Sequence, residues 1–168
     1  IWEKAVGSNF AVLKYQPMKE HENILVFSKN THKYKPIKQL RKGSGKNRVK
    51  YKYSASKTGE ATGSINFKGG KIYNKNLRNP SSVQFFNNRE KSRGLHPTQK
   101  PVALLEYLIK TYTDPEELIL DNCMGSGSTG IACINLKRKF IGIEKNKDIY
   151  KTALKRIEEH KTQLQLPL

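Results

Sequence analysis

Asp121-Asn-Cys-Met-Gly125-Ser-Gly127-Ser-Thr-Gly130 is the stretch on which the fold turns. It contains G-x-G-x-x-G and stands between a short apolar run, Glu117-Leu-Ile-Leu-Asp121, and a short helical stretch, Ile131–Leu136. A second apolar run, Lys139-Phe-Ile-Gly-Ile-Glu144, ends in an acid 23 residues after Asp121. Glycines let a backbone turn tightly and come close to a ligand, and the N-terminus of the following helix offers unpaired N–H groups. An acid at the end of the next strand can accept two hydrogen bonds from ribose hydroxyls. The pattern predicts strand, glycine turn, helix and strand around a nucleoside-containing cofactor.

Asp121 narrows the choice of cofactor. A carboxylate four positions before the first glycine would repel the pyrophosphate of a dinucleotide, yet it favours an ammonium. S-adenosylmethionine brings an ammonium, a carboxylate and a ribose and no phosphate. It suits Asp121 and Glu144 better than NAD does.

Working outward, Pro101–Tyr112 has apolar residues at 102, 104, 105, 108 and 109, a helical stripe that Asp114-Pro115 ends. Asp148–His160 is a second amphipathic helix, with Ile149, Ala153, Leu154 and Ile157 on one side. The order is helix, strand, turn, helix, strand, helix: an α/β chain with one βαβ unit and a leading helix. Nearer the start, residues 10–15 and 23–28 read as two strands of an antiparallel hairpin, joined by a loop with Pro17. Residues 31–93 are weakly patterned. Short strands are expected at 49–53 and 71–73, and a better one at Ser82–Phe86.

The charge is large and uneven. The 168 residues carry 32 Lys+Arg against 14 Asp+Glu, a net charge of +18. Residues 96–168 hold eleven basic and nine acidic residues, the balance of an ordinary folded domain, whereas residues 31–57 hold ten basic residues and no acid. That excess implies a polyanionic partner, nucleic acid first and an anionic membrane second. Residues 31–93 are therefore read as an inserted basic lobe. Its candidate DNA contacts begin with Lys33, Lys35, Lys38, Arg41 and Lys42 and continue with Lys46, Asn47, Arg48, Lys50 and Lys52, among Tyr34, Tyr51 and Tyr53. Lysines suit sequence-independent phosphate contact. Arg41 and Arg48 suit guanine and Asn47 suits adenine. Two cysteines, Cys123 and Cys133, are too few for a disulfide framework or a zinc site. No apolar run exceeds four residues, far short of a membrane-spanning helix. No secretory leader is visible, and the first residue is Ile rather than Met, so the chain reads as beginning inside a longer product.

Taken together, His96-Pro-Thr-Gln-Lys-Pro101 before a helix, Asp121-Asn-Cys-Met-Gly-Ser-Gly-Ser-Thr129 and Ile141-Gly-Ile-Glu144 resemble the C-terminal half of a DNA amino-methyltransferase of the beta class, in which the catalytic box precedes the cofactor box. The HPTQKP box matches letter for letter. The family's D-P-F-x-G-S-G-T-T box matches with departures, since Asn122 and Cys123 replace Pro-Phe and Ser128 replaces the first Thr. Ile1–Lys4 and His21–Lys29 also resemble family segments, so the likeness spans residues 1–30 and about 80–160.

The resemblance implies a Rossmann-like α/β methyltransferase fold with a partial sheet and a basic inserted target-recognition lobe. Residues 1–30 would form a hairpin of the core, 31–93 the recognition region and 94–168 the cofactor-binding βαβ part. Asp121 and the turn of Gly125, Ser126 and Gly127 would hold the methionine end of S-adenosylmethionine. Glu144 would hold its ribose, and Thr98 and Lys100 its carboxylate side. Cys123 and Met124 would pack beside the adenine. His96–Pro101 also reads simply as a helix start, with Thr98 as its N-cap and Pro101 in the first turn.

The family's catalytic box, [D/N/S]-P-P-[Y/F/W], needs adjacent prolines. The seven prolines lie at 17, 36, 80, 97, 101, 115 and 167, so the box is absent and no catalytic residue is expected in this chain. Asn79-Pro80-Ser81 lacks the second proline and the aromatic and reads as a turn. The resemblance thus implies the C-terminal portion of a longer or two-chain enzyme, inactive alone and partnered by its catalytic half and by duplex DNA. It would act in the cytoplasm of a prokaryote or for a phage, with no membrane contact. Direct methyl transfer to adenine N6 is the leading expectation and cytosine N4 the alternative. Cys123 lies outside a Pro-Cys nucleophile loop, which argues against cytosine-C5 chemistry. A non-catalytic DNA-binding subunit and a basic RNA-binding protein are the remaining rivals.

Overall fold

A computed structural model describes residues 1–8, 11, 13–40, 77–88 and 99–165. The expected strands at 49–53 and 71–73 lie outside the described residues, as do Arg41, Lys42, Lys46, Asn47, Arg48, Lys50, Lys52 and Thr98. The chain divides into two compact units, Ile1–Pro36 with Ser81–Leu168, and Ile37–Pro80.

In the first unit, strand β1 (Trp2–Ser8) is the centre of a three-stranded sheet. It runs antiparallel to β2 (Lys19–Glu22) and parallel to β5 (Gln84–Phe86), pairing Trp2 with Glu22 and with Gln84. The register slips between Glu3 and Ser8, so the hairpin carries a bulge. Trp2 is buried and its indole N–H donates to the Phe86 carbonyl at 3.0 Å. Phe86 in turn lies against Tyr107, with ring centroids 5.6 Å apart.

This hairpin corrects the sequence reading. Its strands are Trp2–Ser8 and Lys19–Glu22, not 10–15 and 23–28. Residues 13–16 form the connecting turn, and 23–28 have no regular structure, with Leu25 and Phe27 exposed. The reason is tertiary. Trp2-Glu-Lys-Ala has little strand character of its own, but the parallel partner β5, more than 80 residues away, completes its hydrogen bonding.

The rest of the unit follows the predicted order. Helix α1 (Val102–Tyr112) leads into strand β6 (Leu118–Asp121). Helix α2 (Ser128–Asn135) crosses to strand β7 (Lys139–Gly142), parallel to β6 with Asp121 opposite Gly142. Helix α3 (Lys147–Gln165) closes the unit. Ile109, Ala132 and Cys133 are buried where α1 meets α2, with Leu105, Ile119, Leu136 and Phe140 packed against them. The alternate positions of the two strands, Leu118, Leu120 and Ile141, are exposed on the opposite face. Among the described residues β6 pairs with β7 alone, and no helix is long and apolar enough to cross a membrane.

Two boundaries differ from expectation. Pro101 occupies the cap position of α1 itself, so Thr98 is not its N-cap. Helix α2 begins at Ser128, three residues before the expected Ile131, because Gly127 already turns the chain into the helix. Gly130 lies inside that helix, where a β-carbon would come within 2.7 Å of Ile157 and 2.9 Å of Phe140. At its other end α2 closes with Lys137 at φ 57°, whose N–H bonds Ile134 O while Arg138 N–H bonds Cys133 O. This is the double-bonded Schellman ending, usually built on glycine.

The second unit shows a short antiparallel pair, β3 (Gln39–Leu40) with β4 (Leu77–Arg78), and Lys38 donates to the Asn79 side chain.

Candidate functional site

Parallel strands bring ligands to their carboxyl ends. At that end of β6 and β7 the structure gathers Asp121, the 122–127 turn and Glu144. The backbone turns through two left-handed glycines, Gly125 at φ 53° and Gly127 at φ 78°. Residues with a β-carbon are strained there, which accounts for glycine at both.

Both carboxylates are tied to this turn. Asp121 Oδ2 accepts from the Thr129 hydroxyl at 2.6 Å, and its Oδ1 accepts the Cys123 N–H at 3.1 Å. Glu144 Oε2 accepts the Gly125 N–H at 3.1 Å, while Oε1 accepts the Asn146 N–H at 2.9 Å. Each carboxylate keeps lone pairs for a ligand. Asn146 also caps α3, accepting from the N–H groups of Asp148 and Ile149. The chain leaving the site is therefore anchored on both sides of Glu144.

Met124 is buried and its N–H bonds Ile143 O. Its sulfur fills the space over Gly142 that a β-carbon there would occupy. Cys123 next to it is exposed. Ser126 is buried, and its hydroxyl donates to Gln99 Oε1 at 3.0 Å. From α3, Arg156 Nη1 donates to Ser126 O at 3.0 Å and to Ser128 Oγ at 3.0 Å.

Lys100 is placed differently from its neighbour Gln99. Its ammonium donates to Glu22 Oε2 at 2.8 Å and lies 5.5 Å from the centre of the Trp2 ring. Lys4 pairs with the other oxygen of Glu22 at 3.0 Å. Burial pushes the Glu22 carboxyl up, but hydrogen bonds from Lys100 and Lys4 outweigh it and hold the group below its ordinary range.

Of the basic residues expected at DNA, Lys33 and Lys35 pack with the first unit. Lys33 pairs with Asp114 at 3.0 Å and with Glu117, and Lys35 with Asp114. His32 and Tyr34 flank Tyr112 at the end of α1. Exposed pairs of this kind contribute little and exchange readily for another anion.

The structure thus joins Asp121, Met124, Gly125, Ser126, Gly127 and Glu144 in one place, with Cys123 at its open side and Lys100 held by Glu22. Sequence reasoning missed Thr129, Gln99, Glu22 and Arg156. Thr129 and Gln99 lie within boxes already singled out. Glu22 and Arg156 carry no local signal, since their partners are distant in sequence.

A family model described as DNA methylase matches residues 1–155, nearly the whole chain. The chain belongs to this DNA methylase family. Among its curated relatives, the type II methyltransferase M2.LlaDCHI of Lactococcus lactis subsp. cremoris is 36% identical over 132 residues, covering 79% of this chain and 45% of that protein. The DNA adenine methyltransferase YhdJ of Escherichia coli strain K12 is 46% identical over 63 residues, covering 38% of this chain and 21% of its own length. A crystal structure of an M1.HpyAVI–SAM complex matches at 55% identity with a TM-score of 0.36, covering 37% of this chain and 32% of that one. The methylase chain therefore spans less than half the length of these relatives. Within the DNA methylases the model is that of the amino-methylating type, acting at adenine N6 or cytosine N4.

Proposed function

We propose that this chain holds S-adenosylmethionine for a DNA methyltransferase that modifies the exocyclic amino group of adenine. The observation that carries the reading is the pair Asp121 and Glu144, which accept the Cys123 and Gly125 N–H groups of one glycine turn at the carboxyl ends of neighbouring parallel strands. Two carboxylates fit a cofactor with an ammonium and a ribose and no phosphate. When bound, that cofactor supplies an activated methyl group. Asp121 receives the ammonium, Glu144 the ribose hydroxyls, and the buried Met124 gives the adenine an apolar wall.

The adenine choice rests on the likeness, over 63 residues, to a DNA adenine methyltransferase. An exocyclic nitrogen is a poor nucleophile, because its lone pair is delocalised into the ring. Its hydrogens need acceptors and the flipped base needs an aromatic to stack on. None of the 168 residues forms such a box. In this reading it comes from polypeptide beyond them, in the same or a second chain, and the basic lobe holds the duplex.

Calorimetric titration of the full chain with S-adenosylmethionine tests the proposal. Saturable binding is expected, and Glu144→Ala should weaken it about tenfold or more through the lost ribose contacts. Absence of binding, or tighter binding of NAD, would overturn it.

A further inference from the structure

The turn that receives the cofactor contains a contradiction. The two glycines that make its path possible also make it loose, since glycine loses more freedom on ordering than any other residue. Ser126 sits between them, and its carbonyl orientation follows the rotations at Gly125 and Gly127. Helix α2 supplies no remedy, because Gly127 caps it without a side chain.

The missing restraint comes from α3. Arg156 Nη1 donates to Ser126 O at 3.0 Å, to Ser126 Oγ at 3.3 Å and to Ser128 Oγ at 3.0 Å. The bonded carbonyl is thus the one between the two left-handed residues. Ser126 and Ser128 are 3% and 5% exposed, so water does not readily replace a lost donor. The Ser126 hydroxyl donates in turn to Gln99 Oε1, extending the chain of bonds to the segment ahead of α1. Ala153 and Ile157, four residues apart on one face of α3, press on the same turn. A β-carbon at Gly127 would lie 3.2 Å from Ala153 Cβ and 3.1 Å from Ile157 Cδ1.

We infer that Arg156 is a positioning residue that holds the glycine turn in its cofactor-receiving shape. The inference rests on the cofactor reading above. Arg156 touches no part of the proposed ligand. It acts through Ser126 and Ser128, fixing the N–H of Gly125 against Glu144 and the start of α2 beside Asp121.

The test uses the full chain with Arg156→Met, Arg156→Lys and Ser128→Ala. Without ligand, amide hydrogen exchange should quicken at 123–128 in Arg156→Met and leave the α1–α2 core unchanged. Affinity for S-adenosylmethionine should fall about tenfold in Arg156→Met. Arg156→Lys, which restores a cationic donor, should recover part of both effects, and Ser128→Ala should show a smaller loss. If wild type binds and Arg156→Met binds equally well, the inference is overturned while the cofactor reading stands. Equal losses in the Lys and Met variants with exchange quickened throughout the molecule would also overturn it, showing Arg156 to be a general structural support. If wild type itself binds no S-adenosylmethionine, the cofactor reading falls and takes the inference with it.

Discussion

In the proposed reading, Asp121 serves fold and ligand with one side chain. Its two oxygens fasten the end of β6 to the turn and to the first turn of α2. Asp121→Asn keeps the shape but replaces one accepting oxygen by a donor and removes the charge. Because hydrogen bonds to charged groups contribute about 1.5–3 kcal/mol, the affinity for S-adenosylmethionine should drop at least about tenfold in titration calorimetry. Glu22 is the second informative carboxylate. Its folded-state group titrates below its unfolded value of 4.5, so its contribution to stability is present above that pH and fades as pH falls through the lowered folded value. Thermal midpoints of wild type and Glu22→Gln should therefore differ at neutral pH and converge below about pH 4.5.

At the scale of elements, the cofactor end was legible because its signals are local. Glycine spacing, two short apolar strands and helical stripes each announce themselves within a dozen residues, and α1, β6, β7 and α3 lie close to their expected places. The hairpin was not legible. Phe10–Tyr15 and Asn23–Ser28 look more strand-like than Trp2–Ser8, yet the strand forms where β5 and β2 can pair with it. The ties from Glu22 to Lys100 and from Arg156 to Ser126 were hidden for the same reason: each spans 30 residues or more. The end of α2 offers an element-scale prediction. Lys137 holds a left-handed conformation that disfavours a β-carbon, in a motif that usually takes glycine. Lys137→Gly should raise the stability by about 0.5–1 kcal/mol, part of the relieved strain being offset by a freer unfolded chain. Urea denaturation would measure the gain.

For the whole molecule, the +18 charge is the dominant long-range property, and residues 31–57 hold most of it unopposed. Lys33 and Lys35 are already paired with Asp114 and Glu117, so their charge would reach DNA only by exchange of partners. Binding of the full chain to duplex DNA should lose about a thousandfold or more between 50 and 200 mM salt, as expected when about six phosphates are neutralised. A flat dependence in a filter or anisotropy titration would show that the lobe does not track the backbone. The face of β6 and β7 carrying Leu118, Leu120 and Ile141 is the opposite extreme, apolar and open to solvent.

The two cysteines make the molecule its own reporter. Burial pushes the Cys133 thiol up to about 11 and shuts it inside the α1–α2 core, whereas Cys123 is exposed two residues before Gly125. A thiol-reactive fluorophore should therefore attach at a single position without any engineering, at the rim of the turn. Its emission should change as S-adenosylmethionine is added and stay constant with NAD, giving an optical readout of cofactor entry from the native sequence.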